Sequence, residues 1–115
     1  SMILRYDSGA HANLTTTLLV KSPCTATIVG THGTLFIDGD FYTPTSMRFK
    51  KVSGEIFEIP KSYEGHGLRE QAIEFEQLLR AGKKESELMS LSDTQSIMET
   101  MDEIRAQINL KYPFE

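Results

Sequence analysis

The spacing of apolar residues changes at Pro60. Before it they tend to alternate with polar ones, and after it they recur every three or four positions. A period of two suits a strand covered on one face, and a period near 3.6 suits a helix. From Ala10 to Leu19 one parity carries Ala10, Ala12, Leu14, Thr16 and Leu18, and the other carries His11, Asn13, Thr15, Thr17 and Leu19. The spacing predicts a strand over 10–19, with the first set on a core and the second facing out. Asp7-Ser8-Gly9 is a turn signal, so residues 2–6 should pair with that strand as a hairpin.

A second β-branched run covers 24–29, and Thr34-Leu35-Phe36-Ile37 resumes after Gly30-Thr31-His32-Gly33. Two glycines around a Thr-His pair fit a tight turn. Residues 47–49 and 55–59 flank Ser53-Gly54 and read as a further hairpin. Beyond Pro60, Leu68, Ala72, Phe75 and Leu79 fall on one helical stripe, and Ile97, Met101, Ile104 and Ile108 fall on another. Gly82 stands where a C-terminal cap belongs, and Ser92 with Gln95 fits a capping box. Strands first and helices after define an α+β fold: a mostly antiparallel, open-faced sheet with two main helices packed on one face. At 115 residues the chain is expected to form a single domain over 1–115 that closes its own core.

Composition removes several classes of function. Net charge is −4, from 12 basic and 16 acidic residues, and no basic cluster exceeds Lys50-Lys51 or Lys83-Lys84. Nucleic acid is therefore not an expected partner, because phosphate binding needs concentrated cations. Leu18-Leu19-Val20 is among the longest apolar runs, far short of the roughly 20 residues of a bilayer span, so no membrane is expected. Cys24 stands alone, which removes an internal disulfide and agrees with a reducing, cytoplasmic setting.

Motifs for chemistry are mostly missing. No Gly-x-Gly-x-x-Gly follows a strand, and there is no phosphate loop and no nucleophile elbow. His11, His32 and His66 lack the i, i+4 spacing of a zinc pair, so no metal site is expected. Glu70, Glu74 and Glu76 read as a solvated helix face rather than a catalytic carboxylate pair. Gly65-His66-Gly67 has two readings. The glycines let the chain turn into the helix and leave His66 exposed, or His66 and Tyr63 edge a substrate pocket, where imidazole trades protons near neutral pH. The outward row His11, Asn13, Thr15 and Thr17 is flat and modestly polar, which suits an interface between sheet faces.

Several stretches carry a family resemblance. Tyr6-Asp7-Ser8-Gly9-Ala10, then Ala26-Thr27-Ile28-Val29-Gly30-Thr31-His32-Gly33, is similar to the Gfo/Idh/MocA oxidoreductases, whose C-terminal domain carries a strand pair written A-x-I-x-G-T-x-G. Gly65-His66-Gly67-Leu68-Arg69 with Gln71-Ala72 and Glu74-Phe75 resembles the family's helix entry. Asp102-x-x-Arg105 and Tyr112-Pro113-Phe114 resemble its closing segment, in the dihydrodiol dehydrogenase-like branch. The resemblance implies a C-terminal domain that walls the substrate side and forms a homodimer through its sheet. Full-length relatives pair it with a Rossmann domain and NAD or NADP. The glycine fingerprint and catalytic motifs of that family are not in this sequence, so no catalytic or cofactor-binding residue carries over. A free-standing binding or assembly module that kept the fold and lost the chemistry is the alternative.

Overall fold

The computed structural model describes residues 1–43, 45–61 and 65–114. The expected class holds: among the described residues six strands in two antiparallel sheets precede two helices in an α+β arrangement. The chain divides into two compact units, residues 1–66 and 67–115, and each is described by itself.

The first unit opens with β1 (Met2–Arg5) and β2 (His11–Leu14), paired antiparallel with Met2 opposite Leu14 and Arg5 opposite His11. The turn forms where Asp7-Ser8-Gly9 required it: Gly9 N–H donates to Tyr6 O at 2.8 Å, and Tyr6 N–H to Ala10 O at 3.0 Å. β2 ends five residues earlier than the alternation predicts. Past Leu14 the chain bends, and Leu19 N–H donates to Thr17 Oγ1 at 3.1 Å. A hydroxyl that captures a nearby backbone N–H competes with strand pairing, and this sequence offers three such threonines in a row.

A separate four-stranded sheet follows, a meander in the order β3 (Ala26–Gly30), β4 (Gly33–Ile37), β5 (Met47–Lys51) and β6 (Ile56–Ile59). The strands therefore lie in two sheets rather than the single one expected. Its register places Ile28, Leu35, Phe49 and Phe57 in one cross-strand row, and Ala26, Ile37, Met47 and Ile59 in a parallel row on the same face. Thr34, Phe36, Arg48, Lys50 and Glu58 take the other face, where the Arg48 guanidinium lies 5.0 Å from the Phe36 ring centroid. Phe49 and Phe57 meet with centroids 6.4 Å apart. Gly33 is the one buried residue among those described, because Phe49 and the Lys50 carbonyl close over it.

The second unit holds α1 (Leu68–Arg80) and α2 (Leu91–Gln107). α1 ends in a Schellman motif: Gly82 N–H donates to Leu79 O at 3.1 Å and Lys83 N–H to Leu78 O at 3.0 Å. α2 starts at a capping box, but two residues before the expected one. Ser90 rather than Ser92 is the cap, and Asp93 rather than Gln95 completes the box.

The expected core is not closed by the described residues: no apolar side chain among them is buried. On α1 the stripe Leu68, Phe75 and Leu79 is 72%, 63% and 63% exposed. The half-covered positions are Glu70, Glu74 and Leu78, one position round the helix. They lie under the return segment, where Ser86 Oγ donates to Glu74 Oε1 at 2.9 Å.

Candidate functional site

His66 sits between Gly65 at φ 73° and Gly67 at φ 86°, the latter acting as N-cap of α1. Both φ values lie in the left-handed region, which glycine enters without a Cβ clash. The turn into the helix is therefore written by the glycines, and His66 itself is exposed. Tyr63, its expected companion at a pocket edge, lies outside the described residues. Because His66 is exposed, His66→Ala should shift stability by no more than about 0.5 kcal/mol, checked by chemical denaturation. Any larger effect of that change would have to be on binding.

The polar row is only partly a strand face. His11 and Asn13 lie in β2, opposite Arg5 and Ile3. Thr15 and Thr17 fall past its end, where Thr15 Oγ1 is 3.4 Å from Ser1 Oγ and Thr17 Oγ1 accepts from Leu19 N–H. The aromatic tip Phe41-Tyr42 is T-shaped, with centroids 5.7 Å apart, and Tyr42 is 69% exposed.

Sequence reasoning missed a hollow of about 410 Å³ inside the second unit, lined by Gly67, Glu70, Glu74, Leu78, Ser86 and Met89 among others. The i, i+4 spacing of Glu70, Glu74 and Leu78 was the signal that could have found it. One oxygen of each of its two carboxylates is engaged. Glu70's own backbone N–H holds its carboxyl below the usual range, and Arg69, with Nη2 3.0 Å from Oε1, reinforces this. Glu74 is held by Ser86. Glu70 Oε1 and Glu74 Oε1 each carry a local bond, while Glu70 Oε2 is covered and has no hydrogen-bond partner among the described residues.

The motif Asp102-x-x-Arg105 acquires a structural role. Arg105 Nη1 lies 3.4 Å from Asp102 Oδ1, and its guanidinium stands 4.9 Å from the Tyr112 ring centroid. The ion pair lies within α2, and the cation–π contact ties the tail to the helix's last turn. Among the described residues no group of three or more His, Cys, Asp or Glu side chains could hold a metal ion. No helix among the described residues is long and apolar enough to cross a membrane.

Neither a protein-family profile nor a solved structure matches the chain. Curated proteins do match, and they are dehydrogenases to which this chain is related over nearly its whole length. Relatives from frog, fish and human among them share one name, trans-1,2-dihydrobenzene-1,2-diol dehydrogenase. The chain is 34% identical over 119 residues to the Xenopus tropicalis protein, covering 98% of this chain and 36% of that one. It is 31% identical over 115 residues to the Danio rerio protein (95% and 34%), and 26% identical over 118 residues to the human one (98% and 35%). The resemblance to the dihydrodiol dehydrogenase branch read from the motifs is borne out. The chain spans about 36% of the length of the relatives it matches.

Proposed function

We propose that this chain is the C-terminal, substrate-side and dimerisation part of an NAD(P)-dependent dehydrogenase of the Gfo/Idh/MocA type, acting on a sugar, polyol or cyclic diol hydroxyl. One observation carries the reading: a match along 98% of the chain to dehydrogenases of which it spans about a third. In this reading the hydride chemistry belongs to residues outside the chain, because nicotinamide must be held by a pyrophosphate loop against the substrate. His66 and Tyr63 stand at the substrate-pocket edge, and the His11–Thr17 row contributes to a homodimer in the cytoplasm.

Calorimetry with NAD+ and NADP+ tests this on the purified chain. No binding tighter than about 100 µM is expected, and no reduction of either dinucleotide with trans-dihydrodiols or polyols. Tight binding, or turnover by the chain alone, overturns the reading. Sedimentation tests the dimer, and a monomer at high concentration removes that role from the polar row.

A further inference from the structure

Asp38-Gly39-Asp40 follows β4 and is exposed. The backbone nitrogen after an aspartate can attack that side chain's carboxyl carbon when three conditions meet. No side chain crowds the nitrogen, no acceptor holds its N–H, and water reaches the pair. Of the five aspartates in the chain, Asp38 alone meets all three. Glycine follows it, and the Gly39 N–H has no acceptor among the described residues. After Asp40 the Phe41 N–H donates to Cys24 O at 2.9 Å, and after Asp93 the Thr94 N–H donates to Ser90 O at 3.1 Å. Asp102 lies inside α2, whose ladder takes the next N–H. Asp7 precedes Ser8, whose side chain crowds the nitrogen. The fold also holds glycine in place, because a Cβ on Gly39 would stand 2.9 Å from the Pro23 carbonyl oxygen.

We propose that Asp38 and Gly39 form a site of spontaneous modification, at which the side chain closes to a succinimide and reopens as isoaspartate. In the first step the Gly39 nitrogen bonds to Asp38 Cγ and the Cγ–Oδ2 bond breaks. Oδ2 leaves as water, carrying the proton of the neutral carboxyl and the proton of the Gly39 N–H. A second water then opens the ring. Attack at Cγ restores aspartate, while attack at the main-chain carbonyl breaks the original peptide bond and leaves the chain running through Cγ. One water departs and one enters, so no oxidant or reductant is needed. Ser46 assists the departure. Its Oγ donates to Asp38 Oδ2 at 2.6 Å, and a donor on the oxygen that gains electron density lowers the barrier.

The product alters the end of a ladder. Asp38 N–H donates to Ser46 O at 3.1 Å, one step beyond the pair Ile37 and Met47 that ends β4 and starts β5. Isoaspartate adds one carbon to the main chain just past that bond and moves the free carboxylate off the Ser46 hydroxyl. The inference stands apart from the dehydrogenase reading, since it needs only this loop and water.

Peptide mapping of the full chain, after prolonged incubation at mildly acidic pH in heavy-oxygen water, tests it. Asp38 should convert to an isoaspartyl form that carries a heavy oxygen and accepts a methyl group from an isoaspartyl methyltransferase. Fragment ions should place conversion at Asp38 roughly tenfold above that at Asp40, whose attacking nitrogen must first give up its bond to Cys24 O. Equal conversion at the two positions, or none at Asp38, overturns the proposal. A side chain at Gly39 would meet Pro23 and disturb the loop, so Ser46 supplies the second test. Ser46→Ala should slow conversion by roughly threefold or more, and Ser46→Thr, which keeps the hydroxyl, should restore it. A rate unchanged or raised in Ser46→Ala refutes the part given to that hydroxyl.

Discussion

Gly33→Ala is expected to destabilise the four-stranded sheet by about 1–3 kcal/mol, among the largest effects of any single methyl added to this chain. The added Cβ would stand 2.8 and 2.9 Å from Cζ and Cε2 of the Phe49 ring, and closer still to the Lys50 carbonyl oxygen. The ring could swing away, but the carbonyl belongs to the strand paired with β4 and moves only with its ladder. Displacing Phe49 would also part it from Phe57, its direct cross-strand partner. Gly30→Ala is the control. Its Cβ would meet nothing nearer than the Gly33 carbonyl oxygen at 3.8 Å, so its cost should be much smaller. Urea unfolding of both variants, with unchanged m-values, reads the difference. Equal stabilities would mean that β5 does not close over Gly33.

Ser90→Ala should cost about 1 kcal/mol, because Ser90 serves several groups at the start of α2. Its Oγ accepts from Asp93 N–H at 3.1 Å and donates to Asp93 Oδ2 at 2.6 Å, while its own N–H donates to the same oxygen at 3.2 Å. The bonds from the Ser90 side chain, then from its backbone, hold the Asp93 carboxyl below its ordinary value of 3.8. A carboxyl depressed in the folded state stabilises it above the unfolded value, and that contribution is lost as pH falls through the folded one. The gap between parent and Ser90→Ala should therefore be full near neutrality and shrink only below pH 3.8. Thermal unfolding of both proteins across that window measures it. A gap independent of pH would show that the hydroxyl caps α2 without the carboxylate.

Sequence made the class of each element legible because local chemistry decides it. Asp7-Ser8-Gly9 and Thr31-His32 turn where their residue types require, and the helical period after Pro60 gives both helices. The misses trace to competing local bonds. Ser90-x-x-Asp93 and Ser92-x-x-Gln95 both fit a capping box, and the shorter, charged aspartate two residues earlier prevails at the positive end of the helix. The threonine run satisfied the strand pattern, yet a hydroxyl took the N–H that a ladder would have used. On α1 the apolar stripe was easy to see, but which side the return segment covers depends on Ser86 reaching Glu74, a contact twelve residues long that periodicity does not encode. As for the site, the motifs led to the right relatives, while of the expected pair His66 and Tyr63 only His66 lies among the described residues, exposed between its two glycines.

Within the β3–β6 meander each strand after β3 pairs with the one just before it in the chain, through connections of two to nine residues. Such a sheet grows in the order in which a ribosome delivers it, and loop closure costs little at each step. Synthesis could therefore stop after Pro60 and leave these four strands able to find one another, with α1 and α2 yet to be made.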